Sequence, residues 1–535
     1  MTPFARLLDA LLFAPQRSVK LRLLADYFRA APDPDRGYAL AALTGTLSLA
    51  AAKPATVRAL VAERVDPVLF GWSYDFVGDL AETVSLIWPE PGTQQGGAPR
   101  LAEIVETLGS LQRARVQQAL AGWLDRLDAT GRWALLKLVT GAMRVGVSAR
   151  LAKTALAEIG AMDPDAIEEV WHGLAPPYAT LFAWVEGRGP RPEIGDAIAL
   201  KPPMLAHPIE DDAVGALDPA AYRAEWKWDG IRVQVAGRGG RARLFSRTGD
   251  DIGAAFPDVV EAIDFDAVLD GELLIARVPD GKLFDPRGPF PAVAPFSDLQ
   301  QRLNRKRVTA QILLDRPAFV RLYDLLAADG EDLRPMPFDA RRARLEAWMR
   351  GGERRRFDLS PLVPFASFAE LDALRRSARA AGIEGLMLKR ADSAYLPGRP
   401  VGPWYKWKRG PLVADCVLMY AQRGHGKRSS FYSDYTFGCW RDAELVPVGK
   451  AYSGFTDDEL RRIDAWVRAN TVDRFGPVRV VRAGLVFEVA FDSVQASSRH
   501  KSGLAMRFPR IHRIRWDKPA AEADRVEGLA ALVAD

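Results

Sequence analysis

The hydrophobic period of this chain changes partway along, and that change limits the folds open to it. Through residues 1–186, Ala and Leu recur at helical spacing, for instance over 101–127 and 133–143. A Pro/Gly-rich loop at 89–99 interrupts the pattern. Residues 1–20 carry it too, and Arg6 and Asp9 break their apolar run. They therefore read as an amphipathic helix and not as a signal peptide. The Gly-Arg-Gly-Pro-Arg-Pro run inside 187–199 reads as a linker. From about Lys201, alternating runs take over at 222–227, 231–236, 242–246, 267–276, 319–325, 385–389 and 404–408. Period two marks strands with one buried face. Helices lie between them: one over 338–349, and another announced by Ser367 with Glu370 three residues on.

Gly410-Pro411 makes a second break. Beyond it, residues 415–421, 435–440, 445–452 and 485–491 are strand-like, and Thr456 with Glu459 announces a helix. Short strands with one helix suit a small β-barrel of the OB type. The expectation is a multidomain α+β protein. An all-helical N-terminal domain covers 1–190, a mixed α+β domain 201–410, and a C-terminal OB-fold β-barrel 411–535. A chain of 535 residues, at roughly 100–200 residues per domain, has room for about three.

Charge and cysteine content narrow the function classes. The net charge of +5 is small against 73 basic and 68 acidic residues; it permits a polyanionic partner without demanding one. Cys416 and Cys439 form no CxxC pair, and His172, His207, His425, His500 and His512 lack metal-ligand spacing. Neither a disulfide framework nor a zinc cluster is expected. No run of about 18 uncharged apolar residues occurs, so no membrane span is expected. A reducing cytoplasm fits.

The chemistry centres on Glu225-Trp226-Lys227-Trp228-Asp229-Gly230. A strand-end lysine is followed by an acid and a glycine turn, with Arg232 on the next strand. Lysine is nucleophilic only as the neutral amine, which partial burial and nearby cations such as Arg232 and Arg247 favour. Alone, Lys-x-Asp-Gly matches by chance, and a strand-end lysine in a hairpin is the plain alternative. Further elements follow in order. Asp270-Gly271-Glu272 and Glu384-Gly385 each put a carboxylate on an apolar strand; the pair would hold Mg²⁺ or a ribose hydroxyl. In Trp404-Tyr405-Lys406-Trp407-Lys408 both lysines fall on one strand face. Adjacent like charges call for an anion between them, and a triphosphate would supply one.

This ordered set resembles that of the ATP-dependent DNA ligases, within the covalent nucleotidyltransferase superfamily, and the resemblance covers nearly the whole chain. Met506-Arg507-Phe508-Pro509-Arg510 and Arg515-Trp516-Asp517-Lys518 resemble the family's last motif, a basic element on the OB domain. Ser497, Ser498, Arg499, His500, Lys501 and Gly503 also match. The resemblance implies that Lys227 forms a phosphoamide with AMP, and that Glu225 accepts from the adenine amine. It implies that Arg232 and Arg247 hold the ribose and the nick phosphate, that Glu272 binds the ribose hydroxyl, and that Glu384 binds a metal ion with Glu272. Tyr323 would stack on adenine, where many relatives carry Phe. Lys406 and Lys408 would grip phosphates, and Arg510, Arg515, Asp517 and Lys518 would form the OB-domain element. Many relatives carry an arginine six residues before the first lysine of the pair. Here that residue is Pro400, with Arg399 beside it as the substitute to be tested.

The helical part resembles the family's DNA-binding domain around residues 136–148. There Gly141, Gly146 and Ser148 would bring backbone amides to phosphates, with Arg144 alongside. Helix-capping glycines beside a solvated arginine are the alternative. The 423–428 loop would contact DNA or be a hairpin tip. The function implied is sealing of nicked duplex DNA by a monomer using ATP and Mg²⁺, with Mn²⁺ able to substitute. The compartment implied is the cytoplasm, at the nucleoid. An RNA ligase or capping-type nucleotidyltransferase, and a non-catalytic DNA-binding relative, are the alternatives.

Overall fold

The structure is a computed structural model. It describes the chain except residues 48, 50–53, 90–95, 112, 142, 195–197, 279–283, 288–289, 291, 304, 306–307, 379–382, 425–429, 498–499 and 534–535. The expectations for the 423–428 loop and for Ser498 and Arg499 therefore fall largely outside the described residues.

From Thr2–Phe13 to Ala179–Val185 the chain is helical. Each helix turns an apolar stripe to a shared core that includes Phe4, Phe28, Leu135 and Phe182. Leu101–Ser110 is representative: Leu101, Ile104, Val105 and Leu108 are its buried stripe. Two expected helices are divided. Residues 1–20 form the end of one helix and the start of another, Thr2–Phe13 and Arg17–Ala30, because Pro15 between them has no amide to donate. The 101–127 stretch breaks after Ser110. Ser110 donates its hydroxyl to the Glu106 and Thr107 carbonyls, and Gly109 adds a poor helix former. A third helix is shifted to Ala129–Thr140, capped by Asp128 at its start and by left-handed Gly141 (φ 70°) at its end.

The middle of the chain builds two sheets. Strands are numbered here as β1 (Tyr222–Trp228), β2 (Ile231–Arg238), β3 (Arg241–Ser246), β4 (Ala267–Ile275), β5 (Ala318–Ala328), β6 (Ile383–Arg390) and β7 (Trp404–Lys408). One sheet runs His207–Pro208, β7, β6, β1, Leu362–Val363; the other runs β3, β2, β4, β5, Glu331–Asp332, with Phe357–Leu359 beside β5. The outer face of the first is apolar through Ala224, Leu386, Leu388 and Trp407. That of the second is apolar through Val233, Leu269, Leu273 and Leu322. The alternate residues of each strand therefore face the gap between the sheets.

The C-terminal strands are β8 (Leu412–Arg423), β9 (Tyr432–Arg441), β10 (Glu444–Ala451), β11 (Thr471–Phe475), β12 (Val478–Val481), β13 (Val486–Phe491), β14 (Ser493–Ala496), β15 (Leu504–Arg507) and β16 (Arg510–Arg515). The long strand β8 pairs with β9 on one side. On the other it pairs with β13 at its start and β12 at its end, so the sheet curves around a core as an OB-like unit does. Helix Asp457–Asn470 closes that core with Ile463 and Val467 and opens on the Thr456–Glu459 capping box. At Ser367 the cap is looser: Glu370 reaches back to the amide of Ala366. No helix is long and apolar enough to cross a membrane among the described residues.

Candidate active site

Strand register puts the sequence-predicted residues in rows. Gly385 of β6 stands between Lys227 of β1 and Lys408 of β7; Met387 stands between Glu225 and Lys406; Lys389 stands between Arg223 and Trp404. With period two, Lys227, Glu225, Lys406, Lys408 and Lys389 share the face that looks into the gap. Across the gap, Arg232 of β2 pairs in register with Glu272 of β4, and Tyr323 of β5 is neighbour to Asp270. The glycine of Lys-Trp-Asp-Gly has a steric cause. A Cβ on Gly230 would lie 2.5 Å from the Leu273 carbonyl and 2.8 Å from Cγ of Glu272, so a side chain there would push β4 and its carboxylate away.

The charges in the gap are matched. Lys227 donates to Glu384. Burial alone would raise Glu384, but Lys227 and then Lys408, 3.6 Å away, outweigh it and hold the carboxyl down at about 2. Glu272 moves the other way: burial pushes it up to about 8, against the pull of Lys227 and Arg232, with the charges of Glu384 and Asp229 adding to the rise. Asp229 is also raised by burial, opposed by Arg507. Lys406 is lowered by burial and then by Arg399, Lys408, Lys227 and Arg247. Arg399 and Arg247 are thus cations of the same site, and both are exposed.

Oxygen donors next to one another, one of them held neutral only by burial and like charge, suit a hard divalent cation. Glu272 and Glu384 meet that description, and Asp229 joins them. No cluster of three or more metal-ligating side chains is preassembled among the described residues. A cation would therefore complete its shell from phosphate and water.

Arg232 and Tyr323 sit differently from expectation. Arg232 is engaged by the protein: Nε and Nη2 bind Asp270 at 3.0 and 2.5 Å, Nη1 the Met204 carbonyl at 2.5 Å, and Nη2 the Tyr395 hydroxyl at 3.0 Å. Tyr395 donates in turn to Asp270 at 2.7 Å, and Tyr323 does so at 3.3 Å. The tyrosine hydroxyl that many relatives lack is therefore bound to the carboxylate that holds Arg232.

Against known proteins, residues 203–408 match the ATP dependent DNA ligase domain and residues 428–518 the ATP dependent DNA ligase C terminal region. A probable DNA ligase of Anaeromyxobacter sp. is 35% identical over 82% of this chain and 85% of its own length. The chain belongs to the ATP-dependent DNA ligase family. A probable DNA ligase of Koribacter versatilis is 39% identical over 61% of this chain, and the match spans 58% of that relative's length, less than two thirds. The solved chain Pmar-Lig_Pre. superposes with a TM-score of 0.57 at 17% identity, covering 96% of this chain and 99% of its own, a likeness of fold.

In this ligase-family chain the OB-like unit meets the site through residues that the sequence reading did not single out. Arg507 of β15 forms an ion pair with Asp229 of the Lys-x-Asp-Gly turn, and its guanidinium lies 4.0 Å over the Phe296 ring. Asp492 reaches Lys408 at 3.3 Å and Arg510 at 3.5 Å. A cavity of about 920 Å³ opens beside these contacts, lined by Glu384, Lys408, Asp492 and Arg507 among others. Arg507 stood in a recognised run, Arg-Phe-Pro-Arg, which was the available signal; Asp492 had none.

Arg515 and Lys518 instead pair with Asp415, at 3.2 and 2.7 Å, and Asp517 pairs with Arg515 at 3.0 Å. The surface pair expected between Asp517 and Lys518 does not form, because each has a better-placed partner. Arg515, Asp517 and Lys518 have no hydrogen bond or ion pair to the nucleophile's surroundings among the described residues.

On the helical part, Gly141 and Ser148 serve as helix caps, as the plainer reading held. Ser148 accepts from the Leu151 amide. Gly146 is left-handed (φ 67°), and its carbonyl accepts from Lys20 at 2.7 Å. Arg144 is exposed beside them. Lys20, 126 residues away in sequence, is a cation of this loop that no local motif could reveal.

Proposed function

We propose that this protein seals nicks in duplex DNA through a lysine–AMP intermediate and a DNA-adenylate. The observation that carries the reading is the row arrangement. One nucleophilic lysine, two flanking lysines and a pair of carboxylates converge on a gap wide enough for a nucleotide, inside a chain of the ligase family.

Lys227 Nζ attacks the α-phosphorus of ATP and pyrophosphate leaves. AMP passes to the 5′-phosphate at the nick, and the 3′-hydroxyl then displaces AMP as the phosphodiester forms. Glu384 sits where it would take the proton from the Lys227 ammonium, which must be neutral to react. Glu225 faces the base, Tyr323 stacks on it, and Glu272 accepts from the ribose. Lys406, Lys408, Arg247 and Arg399 hold phosphates; Arg232 lines the pocket through its hold on Asp270. Mg²⁺ held by Glu272 and Glu384 would neutralise charge on the phosphates. Gly141, Arg144, Gly146 and Ser148, with Lys20, would meet the duplex backbone, and Arg510, Arg515, Asp517 and Lys518 would act when the C-terminal unit turns them inward.

The units acting in this way are 1–190, 201–410 and 411–535, in a monomer working at the nucleoid. The test is incubation with α-labelled ATP and Mg²⁺, followed by nicked DNA and nicked RNA. Covalent label and DNA sealing support the reading, sealing of RNA alone would assign an RNA ligase, and absence of label would refute it.

A further inference from the structure

Lys389 has no part in the chemistry above, yet it is the most enclosed lysine in the gap. Its side chain is 2% exposed, and so is that of Glu225, which its ammonium meets at 2.9 Å. It also donates to the Tyr323 carbonyl at 3.5 Å. The rings of Tyr323, Trp404 and Phe338 surround the ammonium at 4.4, 4.8 and 5.0 Å. The enclosure is apolar apart from Glu225 and the neighbouring Asp324, which Arg341 already binds at 2.8 Å.

A buried ion pair is a poor device for stability, since well-packed apolar residues of similar volume do as well or better. A methionine would fill this aromatic cage. What only a cation provides is a fixed charge opposite Glu225. A carboxylate walled by Ala224, Met387 and aromatic rings would take up a proton without one. The protonated form presents a donor where the adenine amine also presents a donor. The ionised form accepts from that amine and offers nothing to a base lacking it.

We infer that Lys389 is a positioning residue that keeps the Glu225 carboxylate ionised and aimed at the base, and so sets the enzyme's selection of adenine. This rests on the reading of Glu225 as the residue that faces the base. Lys389 touches no substrate atom; it acts through Glu225, and through Tyr323, whose ring it supports from one side.

The test is single-turnover self-adenylation with ATP and with purine riboside triphosphate, which lacks the amine. It compares wild type, Lys389→Met, Lys389→Arg, Glu225→Gln and the Glu225→Gln/Lys389→Met double variant. The wild type should prefer ATP by about 100-fold in kcat/KM, the scale of one hydrogen bond to a charged group. Lys389→Met should bring this below about 10-fold through KM, with the rate at saturation changed little, and Lys389→Arg should restore much of it. The double variant removes both buried charges and so keeps the test valid where Lys389→Met folds poorly. Its preference should equal that of Glu225→Gln.

Full preference in folded Lys389→Met, or a double variant worse than Glu225→Gln, overturns the role of Lys389 while leaving Glu225 as base reader. Full preference in Glu225→Gln overturns the reading of Glu225, and the role of Lys389 falls with it.

Discussion

Arg507→Ala should separate the steps of the reaction. The Arg507–Asp229 pair is 12% and 17% exposed on its two sides. Removing one member of a fully buried pair costs about 3–5 kcal/mol, whereas an exposed pair contributes about 0–1 kcal/mol. This pair lies between, at about 2 kcal/mol, and the loss of Arg507 from the Phe296 face adds about 1 kcal/mol. Three kcal/mol corresponds to roughly 150-fold in rate for a step that needs the contact.

Which step needs it follows from Lys408. In the arrangement that seats Arg507 on Asp229, Asp492 of the same unit lies 3.3 Å from Lys408. A lysine held by Asp492 is not free for a triphosphate. The arrangement therefore belongs to the steps after pyrophosphate has left. Arg507→Ala should slow sealing of a pre-adenylated nick by roughly 30- to 150-fold, and self-adenylation by less than about 3-fold. Lys518→Ala should do the reverse, because Lys518 and Arg515 sit away from the nucleophile here and would act only in the other arrangement. Both rates come from single-turnover gels with labelled ATP and with a labelled 5′-adenylated nick. Equal slowing of both reactions by Arg507→Ala, or no slowing of sealing, would refute the reasoning.

Other outcomes follow from the same geometry. Lys227→Ala should abolish covalent label, and Lys227→Arg should fail as well because guanidinium stays protonated; undiminished label on either moves the nucleophile elsewhere. A chain starting at Lys201 should still label but seal poorly, with nick binding by the full chain weakening steeply with salt; full sealing at moderate salt by the shortened chain would remove the DNA-binding role from the helices. Glu272 has a folded pKa of about 8, above its ordinary value of 4.5. The native state thus holds a proton that the unfolded state has lost, and this contribution is complete below about pH 4.5 and gone above about pH 8. The melting-temperature difference between wild type and Glu272→Gln should fall across that window and level off above it; a flat difference from pH 5 to 9 contradicts the burial of Glu272.

What the sequence made legible divides by the range of the interaction. The strands bearing Lys227, Glu272, Lys406 and Lys408 were readable because alternation and turn residues are local, and the Ser367 and Thr456 caps because a cap spans four residues. The helix breaks at Pro15 and Ser110 were masked by an apolar period that continues across them. Pairing partners were not readable. Nothing near Arg232 in sequence shows that Asp270, Met204 and Tyr395 bind it, and nothing near Asp229 points to Arg507, 278 residues on. Asp517 and Lys518 illustrate the opposite error: adjacent opposite charges suggested each other, but consecutive residues seldom face the same way, and Asp415 and Arg515 were better placed.

The pairing pattern also bears on how the site would admit its substrate. Without nucleotide, each charge in the gap already has an opposite: Lys227 and Lys408 have Glu384, Lys408 also has Asp492, Arg232 has Asp270, and Asp229 has Arg507. A bound triphosphate would therefore exchange partners instead of filling an uncompensated positive hole. The lysines would turn from carboxylates to phosphates, and the carboxylates left behind, Glu384 with Glu272, would need a cation. Nucleotide and metal should consequently bind cooperatively, because each removes the like-charge repulsion that the other creates. The exchange must displace Asp492 from Lys408, which ties the entry of ATP to movement of the C-terminal unit.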